Sequence, residues 1–170
     1  MPGSVVVIGH FVCLQTEERN VSYMTEEEKN MLRVIVCRPD EYAKVTWIED
    51  SLEAMQGLVG GLIEPYDPFY SDSDPRYENV ILVCNEEGKL RQMKPSRAII
   101  DEDGHVMDVI AGPFFLCYSP VESESFESLP VDLEEVFRKK YEKPEHISCI
   151  GNEYHVIAYD PGRHEAEHER

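Results

Sequence analysis

The chain is poor in positive charge: 16 lysine and arginine residues stand against 34 acidic ones among 170, a net charge of -18. Such a surface repels polyphosphate and anionic lipid, which argues against direct nucleic-acid binding and against attachment to a membrane. No apolar run approaches bilayer length, and Val5 to Ile8 lack the basic start and long apolar core of a signal peptide, so the cytoplasm is the expected compartment. Cysteine is sparse and scattered. Cys13, Cys37, Cys84, Cys117 and Cys149 form no C-x-x-C pair, which argues against a disulfide framework and a zinc cluster and makes small buried core residues the expectation. Walker loops and G-x-S-x-G elbows are also missing, and no cofactor or catalytic residue is expected.

One motif runs against these absences. His164-Glu-Ala-Glu-His168 fits H-E-x-x-H, but it is polar on every face and leaves no room downstream for a third ligand, so no metal site is assigned to it. Hydrophobic content of 42% and the length fit a single globular domain.

The stretch Ser51 to Glu64 is the one around which the rest of the chain is arranged. Ser51 is a helix N-cap, and Leu52, Met55, Leu58, Val59 and Leu62 recur at three- and four-residue spacing, so one helix face is expected in the core. Gly60 and Gly61 close the helix, and Leu62-Ile63 resumes a strand. A phosphate cradle would need glycines that open a helix, whereas these end one.

Before it, Val5 to Leu14 reads as a strand, and Thr25-Glu-Glu-Glu28 has the spacing of a capping box. Met31 to Cys37 is a strand stopped by Arg38-Pro39-Asp40, and Tyr42 to Ile48 is its hairpin partner. Glu64 to Asn79, with three prolines, reads as a long loop whose aromatics pack it back on the body. Val80 to Cys84, a turn at Asn85 to Gly88, and Lys89 to Met93 spell a hairpin. Ile99-Ile100, the turn Asp101 to Gly104, His105 to Ile110 and Phe114 to Tyr118 continue a meander-like antiparallel sheet. Pro130 to Tyr141 is a helix with Leu133, Val136, Phe137 and Tyr141 inward, followed by a hairpin of Ile147 to Ile150 and Tyr154 to Tyr159.

Two groups of residues stand out as candidate binding surfaces. Lys89, Arg91, Lys94 and Arg97 reverse the local charge, with Lys89 and Arg91 on one face of the expected strand. Arg97, Lys94, Arg91 and Asn85 are therefore candidates for holding an anion or a partner, and Arg97 for bracing turn carbonyls as the other option. In the long loop, Tyr66, Phe69, Tyr70, Asp72 and Asp74 are candidates for contacting a partner. Gly60, Gly61, Gly88, Gly104 and Gly112 are assigned to turns, where Gly88 is expected to supply a positive φ.

Five stretches in this order, Val36 to Pro39, Ser51 to Gly61, Val83 to Gly88, Pro95 to Ala98 and Asp108 to Phe115, resemble the family catalogued as domain of unknown function 3846. The resemblance spans Met31 to about Tyr118. It implies a small cytoplasmic protein of a bacterium, phage or conjugative element, often near anti-restriction genes, and it brings no catalytic residues. Residues 1–30 fall outside it and are expected to be an extension or a misplaced start.

The expected fold is therefore α+β, a single domain of mainly antiparallel sheet with two helices packed on it. Its parts are an extension over 1–30, a core over 31–118, a helix and hairpin over 119–159, and a tail over 160–170. The expected function is that of a non-enzymatic accessory or regulatory protein of a mobile element, binding a protein partner. Its sharper form is an acidic DNA mimic that inhibits a restriction or defence factor. The alternative from another class is a small-ligand or nucleotide-binding enzyme using the Lys89 to Arg97 segment.

Overall fold

A computed structural model describes residues 30–71 and 73–162. The chain divides between Asn30 and Met31, and the fold described is that of the second part. The readings at Val5 to Leu14, Cys13, Thr25 to Glu28, Asp72 and His164 to His168 lie outside the described residues.

The element order is β1 (Met31–Cys37), β2 (Lys44–Glu49), α1 (Leu52–Val59), β3 (Ile63–Tyr66), a 3-10 turn (Pro75–Asn79), β4 (Val80–Asn85), β5 (Pro95–Ile100), β6 (Val106–Ala111), β7 (Phe114–Tyr118), α2 (Val131–Lys140), β8 (Glu145–Ile150) and β9 (Glu153–Ala158). Strands β2-β1-β7-β4-β3 form a five-stranded antiparallel sheet, while β5-β6 and β8-β9 are separate two-stranded sheets. The fold is α+β.

The strand order follows hydrophobicity. β1, β4 and β7 are apolar at consecutive positions, so both of their faces need cover and they take the centre. β2 and β3 are polar or interrupted by Pro65 and take the edges, where a missing N–H costs nothing. On one face Val34, Val36, Val83, Phe115 and Cys117 pack against Met55 and Val59 of α1. On the other, Ile35, Leu82, Phe114 and Leu116 pack with Leu133 and Phe137 of α2, with Tyr141 at its C-cap and with Ile99 and Ile110 of the β5-β6 hairpin.

α1 is set by its caps. Ser51 Oγ accepts from the Ala54 amide at 3.2 Å, and Gly60, at φ 78, sends its N–H to the Gln56 carbonyl. Burying Met55 and Val59 stabilises the docked helix by roughly 1.5–3 kcal/mol each. Leu52 and Leu62, expected in the core, are instead 59% and 57% exposed: the short helix buries only Met55 and Val59, and Leu62 lies beyond its end.

Several expectations are corrected. Lys89 to Met93 is not the hairpin partner of β4: residues 86–94 form a compact turn closed by Arg91 N–H to Glu87 O and Met93 N–H to Gly88 O, with Gln92 at φ 56. β4 pairs instead with β3 and β7, so the sheet is no meander; β7 returns to lie between β1 and β4. The first residues of the long loop, through Tyr66, belong to edge strand β3. On α2, Val136 is 42% exposed while Glu134 is buried, since Arg33 of β1 neutralises it through a two-pronged contact at 2.7 and 2.9 Å. Cys37, Cys84 and Cys117 are buried as expected, but Cys149 is exposed on a hairpin with little packed against its tip.

Candidate functional site

The five family-like stretches are held together by polar side chains that bind backbone. Asn85 ends β4; its Nδ2 donates to the Val59 carbonyl at 3.2 Å, and its Oδ1 accepts from the Glu87 amide at 2.9 Å. One amide side chain thus caps α1 and opens the following turn. Gly61 lies against it, where an added Cβ would stand 2.6 Å from Asn85 Nδ2. Gly88 has no positive φ; its role is close approach, because a Cβ there would stand 2.5 Å from the Ala111 carbonyl oxygen on β6. Gly104 and Gly112 do take positive φ in their turns.

Arg97 is fully buried on β5. Its guanidinium donates to four carbonyls: Tyr141 at 3.1 Å, Arg38 at 3.3 Å, Ser96 at 2.9 Å and Glu41 at 2.8 Å. It is the peg that fixes the Arg38 to Glu41 turn, in which Asp40 sits at φ 60, to the β5 hairpin and the end of α2. Of the two options read for Arg97, this geometry is that of bracing turn carbonyls.

The other cations of that segment are dispersed and engaged. Lys89 pairs with Asp108, Lys94 with Asp40, and Arg91 reaches Glu87 at 3.7 Å and the Gly60 carbonyl at 3.4 Å. Lys89 and Arg91 share no strand face, because they lie in the turn. Asp40 also accepts from Tyr159, and its contact with Lys94, then that with Tyr159, holds its carboxyl below the usual carboxylate range.

The aromatic loop divides. Phe69 is buried, edge-on to Phe137 at 4.8 Å, and Tyr66 is half-buried, whereas Tyr70 is 61% exposed. Asp74 caps the 3-10 turn and binds Arg76, which also reaches Asp132 at the start of α2. Asp74 is therefore a brace for its own loop.

Two of the five stretches, Val83 to Gly88 and Asp108 to Phe115, meet in a cleft of about 260 Å³ between the β3-β4 end of the sheet and β6. Glu64, Tyr66, Cys84, Asn85, Glu86, Lys89 and Asp108 supply its chemistry over an apolar wall of Ile110 and Ala111. The cleft brings together Tyr66 from one group of expected residues and Asn85 from the other. Three carboxylates face one lysine, and that lysine is already paired with Asp108. Burial pushes the Cys84 thiol up to about 11, which leaves it protonated and a poor nucleophile at neutral pH. The electrostatics suit a cationic guest and disfavour phosphate. Glu64, Glu86 and Asp108 were not singled out from the sequence, although Glu86 and Asp108 stand inside two family-like stretches, and that membership was the available signal.

At the far end of the β5-β6 hairpin, Asp101, Asp103 and His105 bring ligand-type atoms within 4.8 Å of one another. Asp101 Oδ1 accepts from the amides of Asp103 and His105, so closing the turn accounts for the cluster. No described helix is long and apolar enough to cross a membrane.

Comparison with curated proteins and with solved structures returns no significant match. Residues 31–142, more than half of the chain, match the family model described as Domain of unknown function (DUF3846). The chain belongs to that family, and its quoted stretches are the ones that Asn85, Arg97, Gly61 and Gly88 lock together.

Proposed function

We propose that the chain is a non-enzymatic accessory protein that works by binding a basic protein partner, with the cleft at Glu64, Glu86 and Asp108 as part of the contact surface. The observation that carries this reading is the excess of carboxylate in the cleft where two family stretches meet, in a chain of net charge -18. Cationic side chains entering it would gain from the surrounding field and from hydrogen bonds to ionised acceptors. The phage or conjugative-element setting and the cytoplasmic compartment that the sequence resemblance implies belong to the same proposal. An enzyme of the Lys89 to Arg97 segment finds no support, since those four cations are engaged in separate places.

The test is affinity capture from host lysate at low and high salt, comparing wild type with a Glu64→Gln, Glu86→Gln variant. A partner retained at low salt, released by added salt and lost in the variant is the expected result. Capture indifferent to both salt and variant overturns the reading. The sharper form, mimicry of DNA, rests on the same charge and predicts that duplex DNA displaces the captured protein.

A further inference from the structure

A second cavity, of about 320 Å³, lies between the long loop, the Asp101 to Asp103 turn and the end of α2. Phe69 and Tyr77 line it, and both rings lean on Phe137, at 4.8 and 5.0 Å, which makes that wall rigid. Tyr70 stands at its rim, and Asp101, Glu102 and Asp103 put three carboxylates beside it.

One cation already sits there. Lys140 Nζ lies 5.6 Å from the Phe69 ring centre and 5.8 Å from that of Tyr141. Among the described residues it makes no ion pair or hydrogen bond, in contrast to its neighbour Lys139, which pairs with Glu135. Partial desolvation lowers the Lys140 pKa, and the field of Glu102 offsets only part of this. The ammonium is thus held by weak ring contacts and the field of Glu102, while losing some of its water. Ammonium is a strongly hydrated point charge. Guanidinium is planar, weakly hydrated, able to stack on a ring and to present two N–H groups to a carboxylate.

We propose that this cavity is a receptor for an arginine side chain of a basic protein partner, with Lys140 as a weak internal plug that the arginine displaces. Phe69 and Tyr70 supply the stacking faces, and Glu102 and Asp103 the acceptors. The proposal deepens the function proposed above, resting on it for the basic nature of the partner, but it names a different cavity and a particular side chain.

The experiment titrates the full chain with N-acetyl-arginine amide, its lysine counterpart and its neutral citrulline counterpart, following ring resonances of Phe69, Tyr70 and Tyr77 and the side-chain resonances of Lys140 by NMR. Arginine amide is expected to shift these signals more strongly than the lysine compound, and citrulline to leave them in place. Lys140→Ala should tighten arginine binding by about two- to fivefold, and Glu102→Gln should weaken it by a similar factor. Both residues are exposed, so both variants should fold. An absence of ring shifts, equal shifts with citrulline, or unchanged or weaker binding in Lys140→Ala overturns the proposal. If arginine fails to bind while a basic partner is still captured in a salt-sensitive way, this cavity is wrong and the proposed function stands. If arginine binds but no basic partner is captured, the reverse holds.

Discussion

Arg97 joins three segments far apart in sequence, and its worth lies in the acceptors it satisfies. Arg97→Ala would strand the carbonyls of Arg38, Glu41, Ser96 and Tyr141 in or near the core. It should destabilise the chain by about 3 kcal/mol or more, read as a shift in the denaturant midpoint. Arg97→Lys should recover little, because one ammonium cannot span acceptors that a planar fork reaches together. A change at Arg97 would thus lower stability throughout the fold and leave any contact at the acidic cleft to be judged separately. Thiol reactivity gives a second reading at this scale. Burial pushes Cys37 and Cys117 up to about 12 and Cys84 to about 11, whereas Cys149 is exposed on β8. Brief alkylation near neutral pH should modify Cys149 and spare these three until the chain unfolds, as peptide mapping by mass spectrometry would show. Burial of three of the four was legible from their apolar neighbours. The exposure of Cys149 was not, because β8 has equally apolar neighbours but, among the described residues, belongs to neither core cluster.

Between elements, the contact of Arg33 on β1 with Glu134 on α2 decides how the helix is rotated. Helical spacing would put Val136 inward, yet Glu134 takes the buried place because a bidentate guanidinium meets it there. A double-mutant cycle over Arg33→Ala and Glu134→Ala should return a coupling of about 1–2 kcal/mol, with the single Arg33 change the costlier since it leaves the buried Glu134 carboxylate unpaired, whereas Arg33 is partly exposed and can turn to water. The β8-β9 hairpin is the opposite case. Ile150, Tyr154 and Ile157 are 67%, 51% and 65% exposed, and among the described residues neither strand contributes to a core cluster. Two strands alone are marginal, so amide exchange in β8-β9 should run well ahead of that in β1, β4 and β7. Its alternation and its Gly151-Asn152 turn were readable along the chain. By contrast, the turn grammar of Asn85 to Gly88 misled. Asn85 does open a turn, but its amide is also bound to α1, and the chain leaves the sheet instead of folding back along β4.

Over the whole molecule, repulsion among carboxylates opposes compaction, and added salt should raise Tm by about 2–5 °C by screening it. Acidification has two signs. Asp40, through Lys94 and then Tyr159, and Asp132, through Arg76, have folded pKa values below their unfolded ones; their contribution is complete above about pH 4 and is lost as pH falls through the folded values. Glu145 is raised by burial, so its ionisation weakens the fold as pH rises through its folded value, and protonation relieves this. Thermal unfolding followed by circular dichroism should therefore show Tm rising as pH is lowered through the folded value of Glu145 towards the ordinary carboxylate range, and falling below about pH 4. The sequence by itself determined the α+β class, the positions of most strands and both helices, the family, and the acidic field, because each is written in local periodicity, turn chemistry or a simple count. Only the tertiary structure decided that β7 lies between β1 and β4, that Arg97 turns inward and that Glu64, Glu86 and Asp108 share a cleft. Those outcomes depend on which distant backbone groups need a partner and on which two-faced strands compete for the centre of the sheet, and no local stretch of chain carries that information.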